Sequence, residues 1–122
     1  MITKILVVTN TKETIEELNK FQLERSESVE FFYSENANEA VKIISEKNVS
    51  IVVADLRLRT FVYSEFFTIL TENFPKIFRV ALFSPGEKDS YIRFSKNFHR
   101  SLKLPLNNPE LLKLINDLAR LI

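Results

Sequence analysis

Short apolar runs alternate with amphipathic segments along the chain, and this alternation constrains the fold more than any other feature. The runs ILVV (5–8), IVVA (51–54) and VALF (80–83) are continuous and rich in β-branched residues, as is typical of strands buried on both faces of a sheet. Shorter strands are predicted at 29–33 and 100–102. Helices are predicted from a cap at Asn10 or Thr11 to about Arg25, after a cap at Asn36, over about 64–73 and 88–97, and from Asn108 to the C-terminus.

Helix-start signals support these boundaries. Asn10 and Asn36 are each followed three residues later by glutamate, which is the spacing of a capping box with Asn in place of Ser or Thr. At Asn108 the order is a capping Asn, a Pro and an acid, which predicts a helix with Asn108 as its N-cap.

Five strands alternating with five helices predict an α/β domain with a parallel sheet covered on both faces. The expected architecture is one domain over 1–122, a doubly wound, flavodoxin-like three-layer sandwich with strand order 2-1-3-4-5. Ligands of such sheets bind beyond the carboxyl ends of the strands. The polar residues at this edge are Thr9, Asn10, Asp55, Ser84 and Lys103.

Composition excludes several classes of function. The net charge is +1 and the charges are interspersed, so no basic stripe for nucleic acid is expected. Without cysteine, thiolate metal sites and cysteine nucleophiles are excluded. The first apolar run is too short for a signal peptide, and no segment approaches a membrane span. We therefore expect a cytoplasmic protein that binds neither nucleic acid nor membrane.

Four segments in order resemble the receiver domain of bacterial two-component response regulators. They are ILVVTN (5–10), where receivers usually read ILVVDD; VVADLRLRT (52–60), similar to VVxDxxMPG; FPKIFRVALFS (74–84), similar to yPxxxRIxLS; and HRSLKLPLNNPELLKLI (99–115), similar to HxFLxKPxxxxELLxxI. The resemblance implies a module of two-component signal transduction. In that family an aspartate at the end of the third strand accepts a phosphoryl group from a histidine kinase, and Asp55 occupies this position.

The resemblance also shows which groups are missing. Receivers hold Mg²⁺ with an acidic pair after the first strand together with the phospho-accepting aspartate. The acidic pair falls on Thr9 and Asn10, which are uncharged, so Mg²⁺ binding is expected to be weak or absent. We expect no catalytic residue, no metal site and no other cofactor.

The hydroxyl and lysine that contact the phosphoryl group in receivers are displaced in this sequence. With Pro75 and Arg79 held in register, the hydroxyl position falls on Phe83, and Ser84 would substitute only if the loop shifts. The lysine before proline falls on Leu104, and Lys103 comes one residue early, where strand alternation points it to the other face. The sequence therefore predicts a degenerate receiver, or pseudo-receiver, that is not an enzyme and signals through protein contacts.

Two other functions stay open. A functional receiver would be phosphorylated on Asp55 within a phosphorelay, with Arg57, Arg59 or Lys103 as partners of the phosphoryl group. The loop TNTKET (9–14) also resembles the phosphate loop T-x-T-G-x-T of flavodoxins, which predicts an FMN-binding domain as a further alternative.

The last helix suggests where a partner would bind. Leu114 and Leu121 widen its apolar arc beyond one core-facing stripe, so they either edge the core or form a partner surface. Phe94 and Phe98 are assigned to the same patch. The resemblance implies a histidine kinase, an output domain or a second copy of the chain as partner, with a homodimer forming through the last helices.

Overall fold

The computed structural model describes residues 2–25, 27–59 and 61–121. Helices and strands alternate along these ranges as the apolar runs predicted, and each strand is separated from the next by a helix. In chain order the elements are β1 (Thr3–Val8), α1 (Lys12–Glu24), β2 (Val29–Ser34), α2 (Ala37–Lys47), β3 (Ile51–Asp55), α3 (Tyr63–Asn73), β4 (Phe78–Phe83), a 3-10 turn (Pro85–Glu87), α4 (Lys88–Phe94), a second 3-10 turn (Ser95–Asn97), β5 (Arg100–Lys103) and α5 (Asn108–Ala119).

All paired strands in the described ranges run parallel, in the order β2-β1-β3-β4-β5. The predicted flavodoxin-like fold and its strand order are therefore confirmed. The register pairs Val8 with Ala54 and Asp55 with Leu82, so the ends of the three central strands lie side by side.

Strand alternation divides the core into two layers. Ile5, Val7, Ile51 and Val53 pack with residues of α1 and α5 on one face. The intervening residues pack with α2 and α3 on the other face. Because both faces are covered, the central strands carry apolar residues at nearly every position. In the described parts of the chain, no helix is long and apolar enough to cross a membrane.

The helix starts match the prediction in one case and differ in two. The Asn36 side chain accepts a hydrogen bond from the Glu39 amide at 3.1 Å, as predicted. Of the two predicted caps of α1, Thr11 is confirmed and Asn10 with its capping box is wrong, because α1 begins at Lys12 with Thr11 as its N-cap and no side-chain cap bond. The N-cap of α5 is Asn107 rather than Asn108, since its side chain accepts from the Glu110 amide at 3.1 Å.

The predicted patch of four apolar residues is not one surface. Leu114 is only 8% exposed and belongs to the core beneath α5, so it edges the core, whereas Leu121 is 64% exposed. Phe94 and Phe98 pack on Phe67 of α3, with ring centroids 5.7 and 5.1 Å away. They therefore lie in the other layer from α5, and assigning them to a patch with Leu114 was wrong.

Candidate functional site

The alternation of strand side chains brings three polar residues to the α1/α5 face at the carboxyl edge of the sheet. Thr9 follows Val8 and Asp55 follows Ala54, and these preceding residues are register partners. Ser84 lies two residues beyond Leu82, the register partner of Asp55, and its backbone is still extended. Side chains two apart on a strand share a face, so all three point toward the same side of the sheet.

The Asp55 side chain is the centre of this site. It is 1% exposed, and its two oxygens accept four hydrogen bonds from the described part of the chain. Oδ1 accepts from the backbone amide of Arg57 at 3.0 Å and from Nε of the same residue at 2.9 Å. Oδ2 accepts from Nη2 of Arg57 at 2.7 Å and from Oγ1 of Thr9 at 2.7 Å. This number matches the lone-pair capacity of a carboxylate.

The guanidinium of Arg57 forms a two-pronged contact with this carboxylate, the geometry in which arginine binds carboxylates most strongly. Its Nη2 also donates to the Thr14 hydroxyl at 2.8 Å. Thr14 lies on the first turn of α1 and is buried. A single side chain therefore joins the end of β3, the loop that follows it and the start of α1.

These contacts determine the ionisation of Asp55. Burial by itself raises the pKa of the carboxyl group, because it disfavours the charged form. The side-chain hydrogen bonds from Arg57 and Thr9, the Arg57 amide and the positive charge of Arg57 act in the opposite direction and together hold the pKa below its ordinary value. Asp55 is therefore a carboxylate at neutral pH.

Tyr63 supports the same residue from the other side of the backbone. Its hydroxyl donates to the carbonyl oxygen of Asp55 at 2.6 Å, and its ring lies 4.7 Å from that of Phe61 and 6.2 Å from that of Phe94. Burial, and secondarily the Asp55 charge, raise the pKa of the phenol. Tyr63 thus connects the backbone of Asp55 to α4 through an aromatic cluster.

A cleft of about 520 Å³ opens above the Asp55–Arg57 pair. Ser84 and Leu104 line this cleft, and the β3–β4 register places Ser84 on the same face of the sheet as Asp55. Phe83 packs in the opposite layer. Lys103 is exposed and is not among the lining residues, as its one-residue offset predicted. The rest of the lining is Glu13, Thr14, Glu16, Glu17, Arg57, Pro105 and Leu106.

Mg²⁺ does not fit these residues. A divalent ion of this kind needs carboxylate or carbonyl oxygens in octahedral geometry. Both Asp55 oxygens already accept from Arg57, and the Thr9 hydroxyl donates to Asp55 and accepts from the Thr11 amide. Asn10 is exposed and neutral. Among the described residues, no three His, Cys, Asp or Glu side chains come together as a metal site.

Two hydroxyl groups of the loop that resembles a flavodoxin phosphate loop form hydrogen bonds within the chain. The Thr9 hydroxyl donates to Asp55 and accepts from the Thr11 amide at 3.2 Å, while the Thr14 hydroxyl accepts from Arg57. In a phosphate loop, hydroxyls and amides of this kind would point at the ligand.

Two residues that hold Asp55 in place were not assigned this role from the sequence. Arg57 was considered as a partner for a phosphoryl group and instead binds the carboxylate itself. Thr14 was not considered at all. An arginine two residues after a strand-terminal aspartate is a usable signal, because both side chains then lie at the same tight turn. The contact with Thr14 depends on how α1 packs and has no signal in the sequence.

Comparison with known proteins agrees with this geometry at the level of the fold. The sequence matches no protein-family profile and no curated protein. The receiver domain of the TMAO respiratory response regulator TorR has a TM-score of 0.83 at 15% identity, covering 98% of both chains. A response regulator receiver domain protein from Clostridium thermocellum has a TM-score of 0.74 at 22% identity, over 95% of this chain and 93% of that one.

A third structure comes from a family of redox sensors in the streptococci that evolved from two-component response regulators. Its TM-score is 0.76 at 13% identity, and the match covers 97% of this chain and 51% of that one. At these identities the likeness shows the fold. The chain therefore has the receiver-domain fold found in two-component response regulators.

Proposed function

We propose that this chain is a pseudo-receiver: a cytoplasmic protein–protein interaction module that uses the receiver fold without Mg²⁺-dependent phosphorylation of its aspartate, and without enzymatic activity. The observation that carries the proposal is the state of Asp55. Its carboxylate is buried, and both of its oxygens are bound by Thr9 and Arg57.

Phosphoryl transfer to an aspartate requires a carboxylate oxygen that can approach phosphorus in line, and cations that stabilise the transferring oxygens. Here the nearest cation, Arg57, neutralises the nucleophile instead. Leu104 lines the cleft at the position where the resemblance places a lysine. Ser84 also lines the cleft and offers a hydroxyl. A single hydroxyl does not replace the Mg²⁺ ion and the lysine that contact the phosphoryl group in the receiver pattern.

The streptococcal redox sensors offer a precedent, since they evolved from response regulators and keep a similar fold. The present chain contains no cysteine, so thiol chemistry is not part of the proposal. What the precedent supports is that a fold of this kind can serve a function other than that of a response regulator.

Incubation with acetyl phosphate and MgCl₂, followed by intact-mass measurement, tests the proposal. A phosphorylatable receiver domain treated in parallel verifies the reagent, and Asp55→Asn identifies the site. We expect no phosphoryl adduct on the wild type. A gain of one phosphoryl group that disappears in Asp55→Asn would show that the chain is a functional receiver.

We further propose that the partner is a protein: a histidine kinase, an output domain or a second copy of this chain bound through α5. Leu121 is the exposed apolar side chain that supports the last of these. Light scattering at increasing concentration measures self-association, and Leu121→Glu is expected to reduce it. A chain that stays monomeric at high concentration contradicts the homodimer but not the other two partners.

A further inference from the structure

We infer that the guanidinium of Arg57 takes the place of the divalent cation in this cleft, so that the site carries its own covalently attached counter-ion and excludes Mg²⁺. The inference rests on the proposed function, because it explains how the fold keeps a buried aspartate without the metal. It also goes beyond the proposed function, since it assigns the exclusion of Mg²⁺ to the side chain of Arg57.

Charge balance at the sheet edge is the first argument. Asp55 is the buried carboxylate of the site, and the positions of the receiver acidic pair are the neutral Thr9 and Asn10. One carboxylate is matched by one monovalent cation, whereas a cluster of three carboxylates requires a divalent ion. The loss of the acidic pair and the presence of Arg57 are thus complementary changes.

The position of the guanidinium is the second argument. Nη2 and Nε lie 2.7 and 2.9 Å from the two Asp55 oxygens, which are the oxygens that a metal would have to ligate. Nη2 is also held by the Thr14 hydroxyl at 2.8 Å. A divalent ion could reach Asp55 only by displacing a fixed positive charge, and two cations cannot share that space.

The attachment of the cation to the chain is the third argument. The Arg57 backbone amide binds the same carboxylate as its side chain does, so the turn that positions the amide also positions the guanidinium. A cation tethered two residues from its partner has a high effective concentration and does not dissociate. Adding Mg²⁺ therefore competes against an intramolecular contact.

Metal binding in four proteins tests the inference: the wild type, Thr9→Asp with Asn10→Asp, Arg57→Met, and the triple variant. Binding of Mn²⁺ is measured by the loss of the free-ion electron paramagnetic resonance signal and by calorimetry. We expect no saturable binding to the wild type at millimolar metal. Restoring the acidic pair with Arg57 present is expected to leave binding at least about tenfold weaker than in the triple variant.

Two outcomes would overturn the inference: saturable binding of Mn²⁺ to the wild type, or binding to the acidic-pair variant as tight as to the triple variant. Arg59→Met in the acidic-pair background is the matched control, since it removes an exposed arginine from the same loop, and should not increase affinity.

If Arg57→Met fails to fold by circular dichroism, Arg57→Lys in the acidic-pair background replaces it. Lysine keeps the charge, so Mn²⁺ binding should stay as weak as with arginine; tight binding would overturn the inference.

Failure of the inference is distinguishable from failure of the proposed function. A wild type that binds Mn²⁺ but takes no phosphoryl group contradicts the role of Arg57 alone. A wild type that gains a phosphoryl group on Asp55 equally well in EDTA contradicts the expected absence of a phosphoryl adduct and leaves the role of Arg57 intact.

Discussion

Replacing Arg57 with methionine should destabilise the fold far more than an arginine on a loop ordinarily would. The substitution keeps an unbranched side chain out to the position of Nε and removes both of its hydrogen bonds to Asp55. The carboxylate is then left buried with the Thr9 hydroxyl and one backbone amide as donors. Removing one partner of a fully buried ion pair costs about 3–5 kcal/mol because the other charge stays uncompensated.

The Arg57 side chain is 29% exposed, so water reaches part of the pair and the expected cost is smaller. We expect the free energy of unfolding to fall by about 2–3 kcal/mol at pH 7. For a chain of this size that corresponds to a decrease in Tm of roughly 8–12 °C. Urea unfolding followed by far-ultraviolet circular dichroism measures the change. Arg120→Met is the control, since it removes an exposed arginine at the end of α5, and should stay within about 0.5 kcal/mol of the wild type.

The cost should also depend on pH with a definite sign. In the wild type the Asp55 pKa is depressed, so the stability from the pair is present above the unfolded pKa of about 3.9 and is lost as the pH falls through the folded pKa. In Arg57→Met the effect of burial dominates and raises the pKa of Asp55, so the folded variant takes up a proton at a higher pH than the wild type does. The difference in the free energy of unfolding between the two proteins should therefore become smaller as the pH is lowered from about 7 to about 4.5.

A double-mutant cycle with Asp55→Asn separates the pair from the individual residues. Asparagine removes the buried charge, so adding Arg57→Met to Asp55→Asn should cost about 1 kcal/mol or less, well below its cost in the wild type. The reasoning would be refuted by a loss under about 0.5 kcal/mol for Arg57→Met at pH 7, or by a difference from the wild type that is unchanged at low pH.

Three further predictions concern the surroundings of the site. Tyr63→Phe deletes a buried hydroxyl that binds the carbonyl at the end of β3, and it should lower the free energy of unfolding in urea by about 1–2 kcal/mol. The hydrogen bond of the Tyr33 hydroxyl is exposed, so Tyr33→Phe should lower it by under about 0.5 kcal/mol. Equal losses of stability in the two variants would contradict the role of Tyr63 in supporting Asp55. Burial and two nearby arginines lower the His99 pKa, so stability should fall as the pH drops through about 6.5. His99→Asn keeps an acceptor for the β4 amide and should lessen the loss of unfolding free energy between pH 7.5 and pH 5.5 by under about 1 kcal/mol, because the residue is exposed. An identical loss in the two proteins would rule out this contribution. Leu114→Glu places a charge in the core and should lower the free energy of unfolding by about 3 kcal/mol or more. Leu121→Glu should change the free energy of unfolding by under about 0.5 kcal/mol. A similar loss of stability in both variants would show that α5 does not pack as described.

The fold could be predicted from the sequence because its strong signals are local and mutually consistent. The apolar runs that contain Ile5 and Ile51 are buried on both faces, and only a parallel sheet covered by helices offers that environment. The cap at Asn36 was predictable because its acceptor and the amide it binds are three residues apart. Asn10 has the same spacing and failed, since the Thr9 hydroxyl accepts from the Thr11 amide and α1 begins one residue later.

The site was less predictable because it depends on how strands and helices meet. Aligning the chain on Pro75 and Arg79 assigned the hydroxyl position to Phe83, yet the face of a residue near a strand end follows from pairing with the neighbouring strand. The register of Asp55 with Leu82 places Ser84 on the site instead. The sequence left Leu114 open between the core and a partner surface for a related reason, since the width of an apolar arc does not show how a helix is rotated against the sheet.

Arg57 also changes how the loss of the acidic pair should be interpreted. If the pair alone had been lost, Asp55 would be a buried carboxylate without a counter-ion, which costs several kcal/mol unless the group becomes protonated. If Arg57 alone had been gained, it would compete with a metal that two further carboxylates still attract. Each change is unfavourable without the other, and together they pair the buried Asp55 carboxylate with one cation and hold the Asp55 pKa low. It follows that restoring the acidic pair alone should not restore a receiver, because the guanidinium would still hold the carboxylate.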